Sequence, residues 1–112
     1  MKQSEKETSE TLKLEKILIK LKALDIREWT IHNYSMSVKA GGIEFYLKRN
    51  SYEYYSLSAR NIEDNIDLME YNHNLNKTLG RMIKAFYEET YDKILDYKEK
   101  MFKERLEDFL KE

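Results

Sequence analysis

Residues 41–56 read GGIEFYLKRNSYEYYS, and the way this stretch folds back on itself decides the architecture. Ile43, Phe45 and Leu47 alternate with Glu44, Tyr46 and Lys48, the two-residue period of a half-buried strand. Gly41 and Gly42 ahead of it supply a turn, because glycine reaches positive φ without a Cβ clash. Arg49-Asn50-Ser51 interrupts the alternation, which resumes from Tyr52 to Leu57. The stretch is a hairpin, and the length of its loop sets which side chains share a face.

A three-residue loop at Arg49-Asn50-Ser51 sets Lys48 opposite Tyr52. Ile43, Phe45 and Leu47 then share a face with Tyr55 and Leu57, while Glu44, Tyr46, Lys48, Tyr52, Tyr54 and Ser56 gather on the other. A two- or four-residue loop would join Ile43, Phe45 and Leu47 to Tyr52, Tyr54 and Ser56, which segregates less well. The first register is expected, with Tyr55 in the core.

Toward the N-terminus the alternation continues. Trp29 and Ile31 form one set and Tyr34, Met36 and Val38 another, out of phase, so a bulge or short turn near His32-Asn33 is expected. Earlier still, Leu14, Ile17, Leu18, Leu21 and Leu24 make one apolar helical stripe, with Ser9 or Thr11 able to cap the helix start. Lys13, Lys16 and Lys20 lie beside that stripe as a solvated face, with a phosphate-binding ridge as the alternative. Residues 1–9 carry no periodic apolar residue and read as a flexible tail ahead of a single domain spanning 10–112.

Toward the C-terminus, Ser58 or Asn61 is placed to cap a second helix. Ile62, Ile66 and Met69 would form its inner stripe, and Glu63, Asp64 and Asp67 would sit near its positive end. Residues 71–76, rich in asparagine, predict a break. From Lys77 onward there is no proline and one glycine, and Leu79, Ile83, Phe86, Ile94, Phe102, Leu106 and Phe109 recur near helical spacing. Such a helix would be on the order of 50 Å long, against a radius of gyration of ~13 Å for a compact domain of this size. It must bend near 91–98, or project and present Phe102, Leu106, Phe109 and Leu110 to a partner or a second copy. The fold expected is α+β: an N-terminal helix, a small antiparallel sheet of three to four strands, then two helices, the last one long.

The totals narrow the chemistry. The 112 residues are 41% hydrophobic and 37% charged, enough for one modest core. Net charge is −1, with ten basic and eight acidic side chains in residues 1–59 and ten against thirteen in 60–112. That balance lacks the basic excess that phosphate neutralisation needs, so nucleic acid is disfavoured as a partner. No cysteine is present, which removes disulfides, thiolate catalysis and cysteine zinc sites. No secretory leader and no membrane-length apolar run is read, so a cytoplasmic location is expected. Lys, Asn, Ile and Tyr make up 40 of the 112 residues, a bias toward A/T-rich codons that suggests a bacterium, phage or mobile element.

Catalytic motifs find no support. His32 and His73 stand apart from recognisable metal-ligand spacings, and the serines lack a nucleophile elbow. Glu63, Asp67 and Glu70 would share a helix face, as would Glu88, Glu89 and Asp92, but a solvated acidic face is the commoner outcome. The Gly-Gly pair fits neither phosphate-binding fingerprint. No catalytic residue, metal or cofactor is assigned.

What remains is a candidate binding face of Tyr46, Lys48, Arg49, Tyr52 and Tyr54, and a candidate partner or dimer helix at Phe102, Leu106, Phe109 and Leu110. Tyrosine beside lysine or arginine suits protein contacts. The same residues on a sheet could stack single-stranded bases, and cross-strand packing alone would also place tyrosines there. The expectation is a non-enzymatic protein-interaction module. As a phage or mobile-element accessory protein it would bind and inhibit a host factor such as a defence nuclease. Single-stranded nucleic-acid binding is the alternative.

Overall fold

A computed structural model describes residues 2–51, 54–72 and 77–111, with side chains from Ser9 onward. Helix α1 (Lys2–Lys22) leads through a short 3-10 turn (Ile26–Glu28) into five strands: β1 (Thr30–His32), β2 (Ser35–Ala40), β3 (Ile43–Ser51), β4 (Tyr54–Asn61) and β5 (Asp67–Asn72). A single helix, α2 (Lys77–Lys111), follows. The strands pair antiparallel in sequence order, so each connection is a hairpin.

This overturns the expected fold in its second half. The sheet has five strands, not three to four, and one helix follows it, not two. Ser58 and Asn61 cap nothing: they sit in β4, opposite Tyr46 and Ile43. The chain then turns on hydrogen bonds, with Asn65 N donating to Asn61 O at 2.9 Å, Asn61 N to Ile66 O at 2.9 Å, and Ile66 N to Asp64 Oδ1 at 3.0 Å. Asn65 takes φ of +63°, a left-handed conformation that breaks a helix and that asparagine tolerates. Ile62 and Ile66, the supposed inner stripe, are left exposed. Met69 and Tyr71 instead alternate with Glu70 and Asn72 in β5, which pairs with the open edge of β4. Backbone groups on that edge need partners, and a strand satisfies them where a helix would not.

The central hairpin also differs in register. Lys48 faces Ser56, not Tyr52, and Leu47 faces Leu57. Strand β3 runs to Ser51 with an irregularity between Arg49 and Ser51. The shorter loop would have set Glu53 opposite Leu47 on the apolar face; the observed register sets Leu57 there and Ala59 opposite Phe45. The shift is four residues, an even number, so Tyr46, Lys48 and Ser56 keep the expected outer face and Tyr55 and Leu57 the inner one. Tyr55 is in the core at 2% exposure.

Elsewhere the turns follow local chemistry. Gly41 and Gly42 adopt φ of +59° and +76°, the double positive φ of a tight two-residue hairpin. The two out-of-phase sets are separate strands, β1 and β2, joined at Asn33-Tyr34 with Tyr34 at φ +59°. Helix α1 starts at Lys2, ahead of the Ser9 and Thr11 caps, because nothing in the polar lead breaks it.

Both helices cover one face of the sheet. Leu14, Leu18 and Leu21 of α1 and Leu79, Ile83, Phe86, Tyr87 and Ile94 of α2 form one core with Trp29, Met36, Val38, Phe45, Leu47, Tyr55, Leu57, Ala59 and Tyr71. Each large apolar side chain buried there contributes about 1.5–3 kcal/mol. The last fully buried residue of α2 is Ile94, and every residue from Phe102 to Lys111 is exposed. Helix α2 neither bends back nor breaks; its end stands clear of the sheet.

Candidate functional site

Strand alternation builds the uncovered face. Ser35 and Ser37 of β2, Tyr46 and Lys48 of β3, Ser56 and Ser58 of β4, and Glu70 of β5 fall on the side away from the helices, because they pair with one another across the registers that bury Met36, Leu47, Leu57 and Tyr71. Serines in mid-sheet leave a trough where larger side chains would fill the surface. The result is a groove of about 830 Å³, floored by Ser35, Ser56 and Ser58 and walled by Tyr46, Tyr54 and Leu68. Lys48 lies on this groove with two carboxylates, Asp67 and Glu70.

One end of the face is fixed by a polar cluster. Tyr46 donates its hydroxyl to Glu44 Oε1 at 2.6 Å, and Arg60 Nη2 donates to the same oxygen at 2.8 Å. Arg60 also donates to the Tyr46 hydroxyl, and its guanidinium lies 5.1 Å from the centre of the Tyr46 ring. The Arg60 hydrogen bond, followed by that from Tyr46, holds the Glu44 carboxyl below its ordinary pKa. Hydrogen bonding to Glu44 pushes the Tyr46 phenol above its own. The cluster locks the ring of Tyr46 and commits Arg60 to an internal partner.

The predicted binding residues divide. Tyr46, Lys48 and Tyr54 come together on the groove. Tyr52 lies outside the described residues. Arg49 points to the opposite side, pairing with Tyr55 in register and lining a separate nook of about 230 Å³ with Tyr34, Tyr87, Glu88 and Tyr91. The adjacent basic pair is therefore split by the sheet, since β3 continues through Arg49 where a loop was expected.

That nook is a clamp between sheet and helix. Tyr55 and Tyr87 meet edge to face at 5.2 Å, Tyr87 and Tyr91 stack at 5.1 Å, and Tyr91 donates its hydroxyl to His32 O at 3.1 Å. Tyr55 donates to Glu88 Oε1 at 3.4 Å, a long bond. Burial pushes the Tyr87 phenol well above its ordinary pKa.

Sequence reasoning missed Ser35, Asn50 and Ser58 as groove residues, and with them Asp67, Leu68 and Glu70, beside which Met69 also reaches the groove. The signal for Asp67, Leu68 and Glu70 was the short alternation from Met69 to Asn72, masked by the helical spacing of Ile62, Ile66 and Met69. Glu63, Asp67 and Glu70 share no helix face, because their segment is a turn and a strand. Among the described residues no group of three or more His, Asp or Glu side chains is placed to hold a metal ion, and no helix is long and apolar enough to cross a membrane. His73 lies outside the described residues.

The second candidate surface is the free end of α2. Phe102, Leu106, Phe109 and Leu110 are 44–73% exposed. Their spacing puts Phe102, Leu106 and Phe109 on one helix face at i, i+4, i+7.

No protein family matches the sequence, and comparison with curated proteins and with solved structures finds no match.

Proposed function

We propose that the chain is a non-enzymatic protein-interaction module whose helix-free sheet face holds an extended segment of a partner protein. The observation that supports this most directly is the groove of about 830 Å³ across that face, with a serine floor, tyrosine walls and charges of both signs. Tyrosine walls supply large contact area at low entropic cost. Half-buried Ser35 and Ser58 on the floor carry hydroxyls that can donate to and accept from a passing backbone, while the buried Ser56 hydroxyl accepts from Asn50 Nδ2. With Lys48 from β3 and Asp67 and Glu70 from β5 on its lining, the groove selects a segment that carries an acid at one point and a base at another.

The same charges argue against single-stranded nucleic acid. A phosphate track needs several free cations. This groove has Lys48 against two carboxylates, while Arg60 is held by Glu44 and Arg49 lies beyond the sheet. The A/T-rich codon bias extends the proposal to a cytoplasmic accessory protein of a phage or mobile element, with a host factor such as a defence nuclease as its target.

Selection of displayed peptides on the purified protein tests the groove. Enriched peptides should bind the native chain and lose at least tenfold in affinity to a Tyr54→Ala/Lys48→Glu variant with an unchanged melting curve. Peptides that bind both proteins equally would rule the groove out. Salt-dependent retention of a labelled single-stranded oligonucleotide, abolished by Tyr54→Ala, would establish the nucleic-acid alternative instead.

A further inference from the structure

We propose that the free end of α2 pairs antiparallel with the same segment of a second copy, making a two-fold dimer with the two sheets at opposite ends of a shared helical rod. Three observations carry this. The first is the exposure of Phe102, Leu106 and Phe109 on one face of a helix that no longer touches the sheet. Lipid-free water does not tolerate such a stripe well at this length, and a second helix covers it most fully.

The second is the order of charges. Residues 98–105 carry four basic and two acidic side chains, and residues 106–112 carry one basic and three acidic. A parallel partner would set basic against basic and acidic against acidic. An antiparallel partner sets each block against its opposite, so the segment is complementary to itself in one orientation only. The apolar stripe has the same symmetry. A two-fold axis between residues 105 and 106 brings Phe102 beside Phe109 of the partner subunit and leaves Leu106 near the axis.

The third is room. Packed helices lie about 8–10 Å apart, whereas the molecule measures 32 and 23 Å across its two shorter axes. Parallel pairing would crowd the two bodies alongside each other. Antiparallel pairing places them at opposite ends, because the free segment lies beyond both.

The interface is small. Fourteen residues, 98–111, span about 21 Å at 1.5 Å per residue, too short a seam to bury the roughly 1,200 Å² of a tight, standard complex. The dimer should therefore be a weak one, set by protein concentration.

Light scattering across roughly 5 to 500 μM should show the mass rising from 13.6 kDa toward twice that value, with a weaker rise at high salt. Phe102→Glu/Phe109→Glu should remain monomeric throughout, and because both residues are exposed its circular dichroism and melting should match those of the native chain in dilute samples, where the native chain is monomeric too. The absence of native cysteine allows a single spin label at Asp96→Cys. Antiparallel pairing about residues 105 and 106 predicts an axial label separation of about 28 Å, and parallel pairing about 10 Å. A native chain monomeric at 500 μM, a dimer that survives the double glutamate variant, or a label distance near 10 Å would each overturn the proposal. So would a chain that stays monomeric while the same stripe proves essential for holding a different protein.

Discussion

Tyr55 shows how one residue joins the sheet to α2. Its ring is buried against Tyr87 and its hydroxyl reaches Glu88 only at 3.4 Å. Packing therefore outweighs the hydrogen bond. Tyr55→Ala should cost about 3–5 kcal/mol in urea unfolding, as large aromatic truncations do, and Tyr55→Phe less than about 1 kcal/mol. Equal losses would mean the hydroxyl matters more than its geometry allows. On the other face, Glu44 has a measurable signature. Arg60 and Tyr46 lower its carboxyl pKa from the ordinary 4.5. A folded pKa below the unfolded one gives stability that is complete above about 4.5 and drains as pH falls through the folded value. The native chain should thus lose more stability between pH 6 and pH 3 than Glu44→Gln does. Parallel acid limbs for the two proteins would contradict it. Tyr55 was legible because an even shift of register preserves faces. The fate of Arg49 was not, since it turned on where β3 stops.

At the scale of elements, the segment 58–72 is the instructive one. Ile62, Ile66 and Met69 satisfy a helical period, and Asn61 is an acceptable cap, so local pattern alone favours a helix. The sheet wins because β4 has a free edge and β5 fills it. Asn65 gives a direct test, because helix and turn predict opposite signs. In a helix Asn65→Gly would destabilise and Asn65→Ala would stabilise. In the observed turn, with φ at +63°, Asn65→Ala or Asn65→Val should cost about 1–2 kcal/mol and Asn65→Gly should be neutral or better. Thermal and urea unfolding of the three variants decides it. The Gly41-Gly42 turn, by contrast, was readable, since no other residue pair adopts two positive φ angles so cheaply.

Across the whole molecule, α2 serves two purposes divided near Ile94. Up to that residue it closes the core; beyond Met101 it is solvated on all sides. Ile94→Ala should cost about 2–5 kcal/mol, whereas Phe102→Glu should change stability by no more than about 0.5 kcal/mol at low protein concentration. Calorimetry on dilute samples compares the two. A large effect of Phe102→Glu there would place the end of α2 against the body of its own chain.

The sequence by itself determined the alternation of β2, of β3 as far as Lys48 and of β4 as far as Leu57, the Gly-Gly turn, the apolar faces of both helices and the exclusion of cysteine chemistry. Each of these rests on periodicity or on a residue's own conformational limits, which act over a few neighbours. Only the tertiary structure decided that 58–72 is strand and turn, that β3 carries Arg49 away from Lys48, and that serines from β2 and β4 line up with β5 to hollow a groove. Those outcomes depend on hydrogen bonds and side-chain contacts between strands distant in the chain, where a free edge or a charge opposite a leucine outweighs local preference.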